Sequence, residues 1–188
     1  MVEKILSLKE IDEIEKANLH GAPTLGLATK ALLSRWQSGL RDEETFLRLI
    51  FLFWYSRTEP NFLTGLDEAQ LEEFTVDTLM SDIGGEAGLS AESRFVIAIL
   101  GHSAYAFGFG DEAAWQEKSR RFLVEAAEME PQSPLFGDWR FLIGEAGDSR
   151  NLKTKIEREI HARFDRRGSM GRYLAHVLSG MVRPNRRD

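Results

Sequence analysis

The sequence predicts an all-α fold of about nine short antiparallel helices packed as helical hairpins. Apolar residues recur at the three- and four-residue spacing of helices along most of the 188 residues, and Gly, Pro or capping residues separate these stretches. Short connections favour helices that pack against their neighbours in the chain. This length suits a single domain, residues 1–188, and the pattern leaves open a closed bundle or a repeat-like array.

The first two helices are predicted from their end signals. Ser7 and Glu10 form a capping box, in which each residue can hydrogen-bond the backbone of the other, so the first helix begins there. We expect it to end at Gly21. The second helix runs from near Pro23, which suits a first helical turn, to Gly39.

The third predicted helix is the most apolar one. It begins near Asp42 and ends before Pro60, because the residue that precedes proline avoids helical geometry. Its apolar residues form two stripes, Phe46, Leu49, Ile50 and Phe53 on one and Leu47, Phe51 and Trp54 on the other. A helix that is apolar on two faces is usually central, so we expect this helix at the middle of the fold.

A glycine-rich loop separates the fourth and fifth predicted helices. The fourth covers residues 67–81, and the fifth covers 91–107 after a cap at Ser90. The apolar run inside the fifth has the composition of a buried strand, but no second such run offers it a pairing partner, so we interpret it as helical. The loop, residues 84–89, is a possible soft subdomain boundary.

Four more helices complete the prediction. Asp111 caps the first of them, and a short helix follows at 135–145. Ser149 begins the next, which we expect to break at Gly168, and the last helix covers 170–181.

Charge is distributed unevenly along the chain. Residues 1–149 carry 13 Lys and Arg against 26 Asp and Glu, a balance of −13, whereas residues 150–188 carry 11 against 4, a balance of +7. We expect the basic end either to pack on the acidic body or to form a patch for an acidic partner. The polar tail, residues 183–188, is expected to be frayed.

Composition also bears on location. The chain has no cysteine, which excludes disulfides and thiolate metal sites and favours a cytoplasmic location. Its first residues include no long apolar stretch, so we expect no cleaved secretory signal. The longest apolar run, residues 49–55, would span about 10 Å as a helix against about 30 Å for a bilayer core. We therefore expect no membrane-spanning segment.

Residues 91–144 partly resemble the helical hairpins of tetratricopeptide repeats. The matching positions are Leu100, Gly101 and Ala104 in the first helix, Leu123, Ala126 and Pro131 in and after the second, and Trp139 and Leu142 beyond it. The hairpin is longer than the family's, and the family's period of about 34 residues does not recur along the chain. The resemblance implies a repeat-like helical scaffold, a fold commonly used for protein binding.

The sequence carries no familiar catalytic or metal-binding motif. Its histidines, which are His20, His102, His161 and His176, lack the spacing of a helical zinc or di-iron site. The Gly-x-Gly-x-x-Ala pattern at 108–113 follows a predicted helix, whereas dinucleotide binding requires a preceding strand. We therefore expect no metal and no cofactor.

The exit of the third helix carries the most unusual group of side chains, which we call the aromatic corner. Aromatic residues and arginine anchor many interfaces, through large rigid area and bidentate hydrogen bonds. Alternatively, the aromatic side chains complete the core while Arg57 and Glu59 pair at the turn. The aromatic corner comprises Trp54, Tyr55, Arg57, Glu59, Asn61 and Phe62.

A second candidate surface, which we call the basic patch, precedes the last helix. It comprises Lys153, Lys155, Arg158, Arg163, Arg166 and Arg167. Such stripes are typical of nucleic-acid binding, usually with a high domain pI. Here the pI is about 5.4 and the acidic body would repel phosphate, so direct nucleic-acid binding is not favoured.

Three functions remain open from the sequence. The favoured one is a non-enzymatic protein–protein interaction module, an adaptor or an inhibitor of the immunity type, whose acidic body would cover a basic partner. The second is a small-ligand-binding protein or an enzyme with its site near residues 54–62, meeting His102 across a helical groove. The third is nucleic-acid binding through the basic patch.

Overall fold

The computed structural model of the chain describes residues 4–17, 25–59, 75–102, 109–139 and 150–182, which hold nine α-helices and one short 3₁₀ helix and no strand. The all-α prediction is thereby confirmed. Predicted features at 18–24, 60–74, 103–108, 140–149 and 183–188 lie outside the described residues. The α-helices are α1 (Leu8–Ala17), α2 (Leu25–Gln37), α3 (Glu43–Thr58), α4 (Val76–Asp82), α5 (Ala91–His102), α6 (Glu112–Met129), α7 (Pro134–Gly137), α8 (Arg150–Phe164) and α9 (Gly168–Val182).

The helix starts coincide with the predicted capping residues. Before α1, the Ser7 backbone N–H donates to Glu10 Oε2 over 2.8 Å and the Glu10 N–H donates to Ser7 Oγ over 3.3 Å, which completes the capping box. Asp42 accepts a 2.9 Å hydrogen bond from the Thr45 N–H at the start of α3. Asp111 caps α6 in the same way. These side chains satisfy backbone donors that a helix start leaves unpaired.

The helix α3 lies at the centre of the fold, as its two apolar stripes predict. Every residue from Thr45 to Trp54 is buried. Its neighbours are α2, α4, α5 and α9, so apolar side chains are covered on all sides. The one charged side chain in this stretch, Arg48, forms ion pairs with Asp12 and with Glu44. Burial of this cation is tolerable because both carboxylates compensate its lost hydration.

The last helix packs against the first, which closes the described elements into a bundle. Besides its chain neighbour α8, α9 contacts α1 and α3. Glu15 on α1 is only 1% exposed, and its carboxylate accepts a hydrogen bond from the backbone N–H of Ser169 in the first turn of α9. Arg48 Nη1 lies 3.9 Å from the same carboxylate. These contacts favour the closed bundle over the open array, in which each repeat touches only its neighbours.

The connection between α8 and α9 differs from the prediction that Gly168 ends a helix. The chain reverses at Arg166, whose φ of 70° is uncommon for a residue with a side chain, and Gly168 is the first residue of α9. Gly168 has a φ of 60°, and a Cβ there would lie 2.1 Å from Glu15 Oε2. Glycine is therefore required for the close approach of α9 to α1. The break between the two helices lies before it, after Phe164.

The loop at 84–89 has defined structure. It contains a 3₁₀ helix, Gly85–Gly88, after Gly84 in the left-handed conformation. Glu86 pairs with Lys118 over 3.2 Å and with Arg121 over 2.8 Å, which joins the loop to α6. A subdomain boundary at this loop stays a prediction. The apolar run beyond it is helical in α5, as predicted.

The Gly168→Ala substitution is expected to destabilise the protein by about 2 kcal/mol or more, because a left-handed residue with a Cβ costs about 1–2 kcal/mol and the new atom also meets Glu15. The matched control is Gly180→Ala in the same helix, where a Cβ meets nothing within 4 Å. It should leave stability unchanged or raise it by up to about 1 kcal/mol. Urea unfolding followed by circular dichroism measures both, and equal effects of the two variants would contradict the close approach.

Glu15 also predicts a pH dependence of stability. Burial raises the pKa of Glu15 above its ordinary value of 4.5, and the hydrogen bond from Ser169 and the charge of Arg48 only partly offset it. The folded state therefore binds this proton more tightly than the unfolded state. The stabilisation by Glu15 is full below 4.5 and is lost as pH rises through the raised pKa.

We expect the stability of the wild type relative to Glu15→Gln to increase as the pH falls from 7 to about 5, because glutamine does not titrate. Urea unfolding of both proteins at each pH gives this difference, in which the titration of other groups cancels. A difference that is constant with pH, or that shrinks on acidification, would show that burial does not dominate at Glu15.

Candidate functional site

The aromatic half of the aromatic corner belongs to a cluster of rings around α3 and α9. Trp54 is 1% exposed, and Tyr55 is half-buried. The Tyr55 ring stacks on Phe51 with centroids 5.3 Å apart, and the Trp54 ring lies 5.4 Å from that of Tyr173 on α9. Ring pairs at these distances add directional attraction to their burial. This half of the corner therefore completes the core and also forms a wall where α9 meets α3.

The polar half of the aromatic corner lies at the surface. The Arg57 guanidinium lies over the Phe53 ring, 4.5 Å from its centroid, in cation–π geometry. Glu59 is exposed, and its backbone N–H closes α3 on the carbonyl of Tyr55 over 2.7 Å. The two remaining residues of the corner, Asn61 and Phe62, lie outside the described residues.

A pocket of about 140 Å³ lies between α3, α5 and α9. Both Trp54 of the aromatic corner and His102 line it, and this proximity is what the second hypothesis from the sequence anticipates. Neither Arg57 nor Glu59 is among its described lining residues. The described lining consists of Trp54 from α3, Ile99, Leu100 and His102 from α5, and Tyr173, Val177 and Met181 from α9.

The pKa of His102, a titratable residue of this lining, is lowered, which favours its neutral form. Burial lowers the pKa of His102 below its ordinary value of 6.5, and the nearby charge of Arg120 lowers it further. The imidazole is therefore neutral at pH 7. Its Nδ1 is buried and has no hydrogen-bond partner among the residues that the structure describes. A neutral ring leaves the described lining without a full charge.

The α9 side of the pocket escapes prediction from the sequence. Tyr173, Val177 and Met181 follow one another at four-residue spacing and therefore share a face of the helix. The same spacing predicts a core-facing stripe, which is why these residues read as packing. These residues line a pocket because of the way α9 packs against α3 and α5. The periodicity within one helix does not reveal how that helix packs against distant ones.

The basic patch is divided by the fold, and part of it faces inward. Arg163 pairs with Glu130 over 2.6 Å and with Glu159 over 2.8 Å. Arg167 Nε donates to Glu44 on α3 over 2.7 Å. Burial tends to lower the pKa of Arg167, but the neighbouring carboxylates, led by Glu44, outweigh it and raise this pKa. Through these two arginines the basic end of the chain packs on the acidic body, which is one of the two arrangements expected from the sequence.

The other basic-patch residues lie nearer the solvent. Lys155, Arg158 and Arg166 are exposed, and Lys153 is half-buried. The spacing of Lys155 and Arg158 places them on neighbouring positions of one face of α8. The outward cations are thus fewer than the sequence suggests, which reduces the positive field available to a nucleic acid.

The described ranges contain neither a metal-binding cluster nor a membrane-spanning helix. No three His, Asp or Glu side chains there lie close enough together to hold a metal ion. Among the helices of the same ranges, none combines the length and the hydropathy needed to cross a membrane.

Comparison with known proteins identifies no relative. The chain matches no family model, no curated protein and no solved structure. The resemblance of residues 91–144 to tetratricopeptide repeats therefore stays a prediction. Function has to be inferred from the geometry of the molecule itself.

Replacement of Arg167 by alanine should destabilise the protein by about 2 kcal/mol, because it takes from Glu44 and from Glu92 one of the two arginines that pair with each of them in a largely buried setting. The control is Arg158→Ala on the exposed face of α8, which we expect to change stability by less than about 0.5 kcal/mol. Thermal and urea unfolding measure both. Similar losses for the two variants would mean that the basic patch is not divided in this way.

Proposed function

We propose that this protein binds a small ligand in the pocket between α3, α5 and α9. The observation that carries the proposal is the meeting of Trp54, His102 and Tyr173 around a space of about 140 Å³. Ligand sites are concave, mainly apolar and furnished with few polar groups, and this pocket has that composition.

Binding without turnover fits the pocket better than catalysis does. General acid–base or nucleophilic chemistry needs two or more groups in mutual reach, such as a base and the residue that orients it. In the described lining, His102 stands among apolar and aromatic side chains, and its buried Nδ1 has no partner to orient it. We therefore propose a non-enzymatic binding protein, with a cytoplasmic location in keeping with its lack of cysteine.

A protein–protein interaction module, the function that the sequence favours, is the second candidate. Its support is Met181, a pocket-lining residue that is 45% exposed. An exposed methionine at the rim of an apolar pocket resembles interfaces that accept an anchoring side chain. An adaptor or inhibitor would then place one apolar residue of its partner in the pocket. Direct nucleic-acid binding has less support, because Arg163 and Arg167 serve internal ion pairs.

A substitution that fills the pocket tests the proposed function. Val177→Phe adds a ring from the half-buried rim on α9, so it should occupy the space without opening the core. The matched control is Val124→Phe on α6, where the side chain is 43% exposed. The readout is the set of methyl resonances of Ile99 and Met181 in a screen of small organic fragments by NMR.

We expect some fragments to shift these methyl resonances in the wild type and in Val124→Phe, and to leave them unshifted in Val177→Phe. If no fragment perturbs them in the wild type, or if Val177→Phe responds as the wild type does, the proposed function is wrong. Crosslinked affinity capture from the native cell tests the second candidate. A stoichiometric partner protein that is retained by Val124→Phe and lost by Val177→Phe would favour the interaction module instead.

A further inference from the structure

The size of the pocket limits what it can hold. A volume of about 140 Å³ is close to that of an engineered apolar cavity of about 150 Å³ that binds benzene. Pockets for drug-sized ligands typically have about 300–1,000 Å³. The space therefore accommodates one six-membered ring with a small substituent. A nucleotide or a long acyl chain would extend beyond it into solvent.

The shape of the walls favours a flat, aromatic occupant. Trp54 and Tyr173 both line the pocket, and their rings contact each other with centroids 5.4 Å apart and planes inclined by 59°. Aromatic rings attract one another in offset or edge-to-face arrangements with centroids about 4.5–7 Å apart. A third ring in the pocket can meet both in such arrangements. The thioether of Met181 adds another favourable contact for an aromatic ring.

The charge of the walls disfavours an ionic occupant. The described lining contains no Asp, Glu, Lys or Arg, and its histidine is held in the neutral form by burial and by Arg120. An ion in such a pocket would lose hydration without a counter-charge in the described lining, which is unfavourable, and an anion would find only the charge of Arg120 outside that lining. The nearby positive charge of Arg120 weighs further against a cation. An uncharged molecule incurs neither cost.

From size, wall geometry and charge together, we infer that the ligand is an uncharged molecule with a single aromatic ring, held against the contacting rings of Trp54 and Tyr173. This inference rests on the proposed function and names the class of ligand for the same site. The aromatic ring of the ligand contacts the rings of Trp54 and Tyr173. Because the ligand is uncharged, it places no unpaired charge among Ile99, Leu100 and Val177.

Four probes of similar size separate these properties. Toluene is aromatic and uncharged, methylcyclohexane is uncharged but not aromatic, benzoate is an aromatic anion and benzylamine is an aromatic cation. Each is titrated at pH 7 into the full-length protein, and binding is followed through the methyl resonances of Ile99 and Met181. Val177→Phe and Val124→Phe are titrated with toluene in parallel.

We expect toluene to bind at least about tenfold more tightly than either charged probe and about threefold or more tighter than methylcyclohexane. Val177→Phe should weaken toluene binding by about tenfold or more, and Val124→Phe should leave it unchanged. Affinity for benzoate, benzylamine or methylcyclohexane equal to that for toluene would overturn the inference.

The failure of the inference and that of the proposed function give different results. If toluene leaves both methyl resonances unshifted while another fragment of the screen shifts them in a manner blocked by Val177→Phe, the ligand class is wrong and the site stands. If neither toluene nor any other fragment shifts them, both are wrong. Circular dichroism of Val177→Phe shows whether a loss of binding comes from unfolding instead, and in that case the wild-type probe series decides alone.

Discussion

The burial of α3 on all sides is the constraint on which the rest of this structure depends. A helix that is covered all round must have its apolar side chains matched by several partners, and here α2, α4, α5 and α9 supply them. It also places the cation of Arg48 in the interior, where unpaired charge is expensive. The carboxylates of Asp12 on α1 and of Glu44 on α3 itself form ion pairs with that cation.

The uneven charge along the chain has its explanation in the same packing. The helix α9 completes the cover of the centre, and the acidic residues around it need cations. Arg167 reaches Glu44, and Arg163 reaches Glu130, so the basic end of the chain neutralises carboxylates contributed by earlier helices. Part of the charge asymmetry is thus an ion-pair network formed on folding, whereas Lys155, Arg158 and Arg166 lie exposed at the surface.

Local chemistry explains which features could be predicted from the sequence. The starts of α1, α3 and α6 follow from Ser7, Asp42 and Asp111, because a cap acts within three residues of its own position. Glycine at 168 was expected to end a helix for the same local reason. Its role depends instead on Glu15, which is far away in the sequence, so no local pattern reveals it.

The candidate site shows the same division. Trp54 and the nearby aromatic residues stand out by composition, and His102 could be named as the group they meet. The four-residue spacing of Tyr173 and Val177 was visible as well, yet a stripe facing a partner and a stripe facing a cavity have the same period. Only the arrangement of α3, α5 and α9 distinguishes them, and that arrangement follows from the whole set of contacts around the central helix.

We expect an aromatic ring to bind in the pocket that this packing leaves beside Trp54. Crystals of the protein grown with bromobenzene test it most directly, because anomalous scattering locates the bromine without reference to the protein. We predict an anomalous peak in the pocket, with the ring against Trp54 and Tyr173. A pocket filled by protein side chains or by water, with bromine absent from it, would contradict the account.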